Sequence, residues 1–205
     1  MASQELKLYQ RALLLSYFTL GYNMVEFILS LIAGILSNSI ALIGFGLDSL
    51  VESLSAGIML WRFSKHGDIS EEEEERVEKR AEKLVGYTFL ILASYILYES
   101  INKLVTREIP KPSLLGIIIA LTSIIVMPLL YYIKLKTGRA IKSRSLIADS
   151  KETLACTFLS IALFLGLGAN YLFGFWQADP IVGLVVVFFL AREGIEIVRG
   201  EEDND

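Results

Sequence analysis

Two pairs of side chains stand inside apolar runs of this 205-residue chain and are of types that hold metal ions. Asp48 and Glu52 form the first pair, and Glu152 and Cys156 form the second. A spacing of four stacks each pair on one face of a helix. An ionisable group at the centre of a membrane-crossing helix costs about 2.5–3.5 kcal/mol on insertion scales, so each of these residues needs a compensating role. Three carboxylates crowded into a low-dielectric interior cannot all ionise without a counter-charge. They hold either protons or a cation. With a thiolate they make a four-ligand set, which suits the tetrahedral preference of Zn²⁺. Such ligands must shed protons before metal binds. A proton gradient could therefore load or empty the site.

Other readings of the same residues stay open. A lone membrane cysteine often serves as a small apolar packing residue, and Cys156 is the only cysteine. Glu152 on the same face favours the ligand role. No basic partner is evident for Asp48 and Glu52, which favours cation ligands over groups that merely join helices. Asp149 lies one turn before Glu152 and is expected to support the site rather than bind metal. Lys151 either neutralises it or snorkels toward water. Asn23 and Glu26 share a broad face of the first helix. They either line a transport path or tie that helix to its neighbours. His66 stands alone in a loop and reads as solvated. The chain shows no hydrolase-type nucleophile–base pair and no zinc-protease motif, so no enzyme is expected.

The elements that must carry these residues are legible from hydropathy. Hydrophobic residues make up 54% of the chain, and the mean hydropathy is +0.54. The apolar residues cluster in runs of about 20, the length that crosses a hydrocarbon core. Six such runs cover about 11–35, 40–62, 83–105, 113–133, 145–172 and 179–198. They lack barrel-like alternation, so they read as helices. The expected fold is an all-α membrane protein, a six-transmembrane-helix bundle. Lys134, Lys136, Arg139, Lys142 and Arg144 follow the fourth run, whereas Ser37–Asn38–Ser39 and 173–178 carry no basic residue. Lys103, Arg107 and Lys111 are the only cations between the third and fourth runs. The bias toward basic cytoplasmic loops then places both termini in the cytoplasm. Helices 2 and 5 run in opposite directions, so both pairs fall near the bilayer middle.

Residues 1–200 are expected to form one transmembrane domain, with 201–205 a short acidic tail. The polar start and long first run read as a mature span rather than a signal peptide. Asp179–Pro180 reads as an N-cap with proline at the first helical position. Ser70 with Glu73 fits a capping box that opens an extension into helix 3, and Glu71–Glu75 reads as a solvated helix start or, alternatively, a cation-attracting vestibule. Pro110 and Pro112 mark an outer turn, and Pro128 is positioned to kink helix 4. A net charge of −4 with no concentrated basic face excludes nucleic-acid binding. One cysteine excludes an intramolecular disulfide.

Taken together, these stretches resemble the cation diffusion facilitator family over nearly the whole chain. The small-residue turn Ser37–Asn38–Ser39, followed by Asp48 and Glu52, resembles the family's helix 2 acidic pair. The stretch from Ala148 through Asp149 and Glu152 to Cys156 lines up with its Ala-Asp followed by a His-x-x-x-Asp pair. Ala178-Asp179-Pro180 and Gly183 resemble the opening of its sixth helix. The resemblance implies a homodimer that exports Zn²⁺ or a related ion from the cytoplasm in exchange for protons by alternating access, and the expected location is the plasma (inner) membrane. It implies a transport site of Asp48, Glu52, Glu152 and Cys156, with helices 1 and 4 beside helices 2 and 5, rocking against helices 3 and 6. Here Glu, Glu and Cys replace the usual second Asp, His and Asp. The thiolate favours Zn²⁺, whereas the added carboxylates suit Mn²⁺ or Fe²⁺, and Co²⁺ is a further alternative. The chain resembles the family's compact branch, in which no metal-binding domain is expected after helix 6. A different class, a metal-binding membrane regulator that moves no ion itself, is the alternative.

Overall fold

The computed structural model describes residues 2–65, 71–141 and 143–199, and it is helical almost throughout. The helices are α1 (Ala2–Ser37), α2 (Ile40–Lys65), α3 (Glu71–Thr106), α4 (Leu114–Ile141), α5 (Arg144–Phe173) and α6 (Ala178–Arg199). His66, Ser70, Lys142 and the tail 201–205 lie outside the described residues. Glu71–Glu75 begins α3, so the acidic stretch is helical.

Tight reversals set the helix order. At the α1–α2 turn Asn38 has φ 54°, a left-handed conformation that asparagine tolerates better than most residues. Ser39 then caps α2, its Oγ accepting from Leu42 N at 3.1 Å. Ser143 caps α5 in the same way, accepting from Leu146 N at 3.3 Å. Gly174, at φ 64°, ends α5 with its N–H directed back at the Asn170 carbonyl, 3.0 Å away.

The strongest pairings are α1 with α2, α4 with α5, and α3 with α6. Contacts of α1 with α4 and of α2 with α5 join the first two pairs into a four-helix group. The α3–α6 pair docks on that group through α2 and α5. Small residues allow the close α3–α6 crossing: a Cβ on Gly194 would lie 2.9 Å from the Gly86 carbonyl oxygen.

The bundle buries polar side chains beside an apolar core and turns apolar side chains outward. Ser16, Thr19, Ser30, Ser49, Ser53, Ser123 and Ser160 are buried. Leu14, Ile125, Val105 and Phe173 are 67–82% exposed. Five of the helices, α1 to α5, are long and apolar enough to cross a membrane. The sixth carries Asp179, Arg192, Glu193, Glu196 and Arg199, which shorten its apolar stretch. It still turns Ile181, Phe188 and Ile195 outward. The protein is thus an integral, multi-pass, all-α membrane bundle.

Several sequence expectations change. Helix 1 begins at residue 2 rather than near 11, and helix 4 continues to Ile141 rather than ending near 133, running unbroken through Pro128. Lys103 belongs to α3, not to a loop, and is buried. Asp179 does not cap its own helix, whose first turn instead hangs from Gln177 and Trp176 carbonyls. Its carboxylate accepts from Ile40 N at 3.0 Å and from the Ser39 hydroxyl, so it caps α2. Lys103 Nζ meanwhile donates to the Asn38 Oδ1 at 2.9 Å. At this end of the bundle α3 and α6 are therefore tied to the α1–α2 turn.

Candidate metal centre

The seam between the four-helix group and the α3–α6 pair holds a cavity of about 20 Å³. That exceeds the ~10–15 Å³ that one water molecule needs. Asp48 and Glu52 reach it from α2, and Glu152 and Cys156 from α5. Phe89 of α3 and Phe189, Leu190 and Glu193 of α6 close the other side. All four residues singled out by spacing thus line one space. The i, i+4 spacing works because α2 and α5 pack against each other with those faces turned to the same seam.

The four do not form a preassembled cage. Among the described residues no three His, Cys, Asp or Glu side chains stand close enough to hold a metal ion. Asp48 of α2 and Cys156 of α5 interact across the α2–α5 interface. No Lys, Arg or His lines the cavity among the described residues. A cation is therefore the species that this wall can attract, and hard carboxylates beside one soft sulfur suit a borderline divalent ion.

A second polar cluster lies on the neighbouring face of α5, against α4. Lys134 of α4 is fully buried. Its ammonium lies 2.9 Å from Asp149 Oδ2 and 3.6 Å from Glu52 Oε1. It also donates to the Thr153 hydroxyl at 2.8 Å. That hydroxyl in turn donates to Glu52 Oε1 at 2.7 Å. The arrangement corrects two expectations. The helix 2 acids do have a basic partner, because Lys134 reaches Glu52. Lys151 is exposed and does not neutralise Asp149; Lys134 does.

The first helix supplies a third group of polar residues. Glu26 accepts from Ser49 of α2 at 2.8 Å and also from Ser123 of α4. Tyr22 joins the same group, 3.2 Å from Glu26 Oε1. Glu26 thereby ties α1 to α2 and α4. Asn23 stands beside Glu52, yet neither its amide nitrogen nor its oxygen has a hydrogen-bond partner.

Sequence reasoning missed Lys134, Thr153 and Glu193. Lys134 was assigned to a basic loop because the apolar run ends just before it. The signal that could have found it is periodicity. Ser123, Met127, Leu130, Lys134 and Gly138 fall on one buried stripe of α4. Glu193 lies in the charged end of α6, where an acid is unremarkable by composition.

Comparison with known proteins gives one family. Residues 16–200 match the model of the cation efflux transmembrane domain. Transmembrane protein 163 of Xenopus laevis is 24% identical over 190 residues, covering 92% of this chain and 66% of the relative. Magnetosome protein MamB of Paramagnetospirillum magneticum is 25% identical over 171 residues, covering 82% of this chain and 57% of the relative. An uncharacterized transporter of Methanocaldococcus jannaschii is 23% identical over 179 residues, covering 85% and 63%. The chain thus spans roughly three-fifths of the length of these relatives.

Proposed function

The chain belongs to the cation efflux family, and from that premise we propose that it carries a divalent metal cation across the membrane through the cavity between α2 and α5. The observation that supports this most is the cavity wall itself. It brings together Asp48, Glu52, Glu152 and Cys156, and among the described residues no Lys, Arg or His lines it, Lys134 approaching Glu52 only from the α4 side. Zn²⁺ is the first candidate, because it accepts thiolate and carboxylate ligands in one tetrahedral site. Mn²⁺, Fe²⁺ and Co²⁺ are the competitors.

The mechanism follows from the ligand chemistry and from where the cavity sits. Metal binds deprotonated carboxylates and thiolate, so loading displaces protons and unloading takes them back. Coupling to a proton gradient is then built into the ligands. The cavity lies on the seam between two helix groups, one of which, α3–α6, is tied to the α1–α2 turn at one end. Relative movement of the two groups would expose the cavity first to one side and then to the other. A homodimer in the plasma membrane, with both termini in the cytoplasm, completes the reading.

The test is metal uptake into proteoliposomes carrying a pH gradient, with Zn²⁺, Mn²⁺, Fe²⁺ and Co²⁺ compared for wild type and Cys156→Asp. Transport whose metal ranking changes with the substitution supports the exporter and Cys156 as a selectivity ligand. A folded wild type that moves none of these ions refutes it, and leaves a metal-binding regulator of another membrane protein.

A further inference from the structure

Glu52 belongs to both polar clusters, and its two carboxylate oxygens are treated differently. Oε1 accepts from Thr153 at 2.7 Å and lies 3.6 Å from the Lys134 ammonium. Oε2 is buried and accepts no hydrogen bond, with the polar Asn23 amide of α1 beside Glu52. The residue as a whole is 5% exposed and lines the cavity. A buried carboxylate oxygen without a donor is costly to keep, so one left in this position points to a ligand or water that completes it. Lys134 is itself held in place. Asp149 Oδ2 anchors it at 2.9 Å, and Asp149 and Thr153 are one helical turn apart on α5. The α4–α5 reversal is stiff, since a Cβ on Gly138 would lie 3.0 Å from the Ile147 side chain.

Resting on the metal-site reading above, we infer that Lys134 is a positioning residue that acts through the Thr153 hydroxyl, and by its nearby charge, to hold one oxygen of Glu52 and leave the other as a single-oxygen ligand for the cargo. The chemical consequence is denticity. A carboxylate with one oxygen engaged by a hydroxyl and drawn toward a nearby ammonium favours metal binding through the remaining oxygen. That favours the low coordination number of Zn²⁺. A Glu52 released from Lys134 would be free to bind through both oxygens, which suits larger oxygen-loving ions that take six or more ligands. The Lys134–Asp149 pair thus acts on ion choice without touching the ion.

The experiment uses the purified full chain in detergent, with Co²⁺ as a spectroscopic probe and Zn²⁺ and Mn²⁺ as competitors. Lys134→Met alone leaves Asp149 without its partner and risks misfolding. The decisive variant is therefore Lys134→Met with Asp149→Asn, which removes one charge of each sign. Thr153→Val is the milder companion, removing only the hydroxyl bridge. The expected result for the double variant is weaker visible Co²⁺ absorption, the sign of a coordination number above four. The preference for Zn²⁺ over Mn²⁺ falls at least tenfold. Thr153→Val shifts both readouts in the same direction by less. A folded double variant with wild-type Co²⁺ absorption and unchanged metal preference overturns the inference and leaves the pair as a strut between α4 and α5. A different failure marks the underlying reading: wild type that binds neither Co²⁺ nor Zn²⁺, or binding that survives Asp48→Ala unchanged, refutes the metal site and this inference with it.

Discussion

Two sides of α5 carry acids, and they are balanced in different ways. On the side facing α4, Asp149 pairs through Oδ2 with a fully buried lysine that also donates to Thr153. On the side facing α6, Glu152 and Cys156 line a cavity with Asp48, Glu52 and Glu193, and among the described residues no Lys, Arg or His lines it. Both sides face the same penalty for burying charge away from water. The first meets it with a permanent internal cation, the second in a space open to a diffusible one. On the proposed reading, the difference separates structure from transport along one helix. Glu52, which touches both sides, is the link between them.

The largest expected effect breaks the cavity side alone. Asp48→Ala or Glu152→Ala should abolish metal flux into proteoliposomes while leaving the helical circular-dichroism spectrum intact. Metal at 100 times its dissociation constant stabilises the binding form by about 2.7 kcal/mol. Both variants should therefore also lose the Zn²⁺-dependent rise in melting temperature that wild type shows. Flux at the wild-type rate would sink the assigned site.

Breaking the lysine side should look different. Lys134→Met strands two buried carboxylates, and removing one partner of a buried ion pair costs about 3–5 kcal/mol. Melting in detergent, with and without metal, should fall for this variant even when no metal is added. The double change at Lys134 and Asp149 should recover most of the loss. If Lys134→Met melts like wild type, the contrast between the two sides of α5 is wrong.

A smaller effect is expected at the tied end of the bundle. Asp179→Ala removes the cap that α6 provides for α2, and helix caps of this type are worth about 0.5–2 kcal/mol. A modest drop in melting temperature should accompany faster labelling of a cysteine introduced at Ser39. Unchanged labelling would show that the tie does not close that end. The smallest effect belongs to the exposed Arg192–Glu196 pair, 2.7 Å apart on one turn of α6. Arg192→Gln should leave both melting and flux within error, since solvent-exposed pairs contribute little.

Local pattern and long-range pairing divide what was legible. The six helices could be read from run length, because spanning lipid demands a continuous apolar stretch with its backbone satisfied internally. The pairs Asp48–Glu52 and Glu152–Cys156 could be read because an i, i+4 spacing fixes a shared face whatever surrounds it. Their common cavity matches that reading. The start of α1 and the end of α4 were not legible, because polar residues extend a helix past the apolar run into the interface without a break in backbone geometry.

Sequence alone therefore determined the helices, their order and which acids share a face, since all three depend on neighbours within a turn or a span. Only the tertiary structure decided which charges meet. Thr153 reaches Glu52 across 101 positions, and Asp179 caps Ile40 across 139. It also moved Lys134 from an assumed cytoplasmic loop to the centre of the bundle. Hydropathy reads a lysine as a cost to be kept in water. The folded chain places it between two carboxylates, where the attraction in a low-dielectric interior outweighs that cost, and no local pattern records where those carboxylates will be.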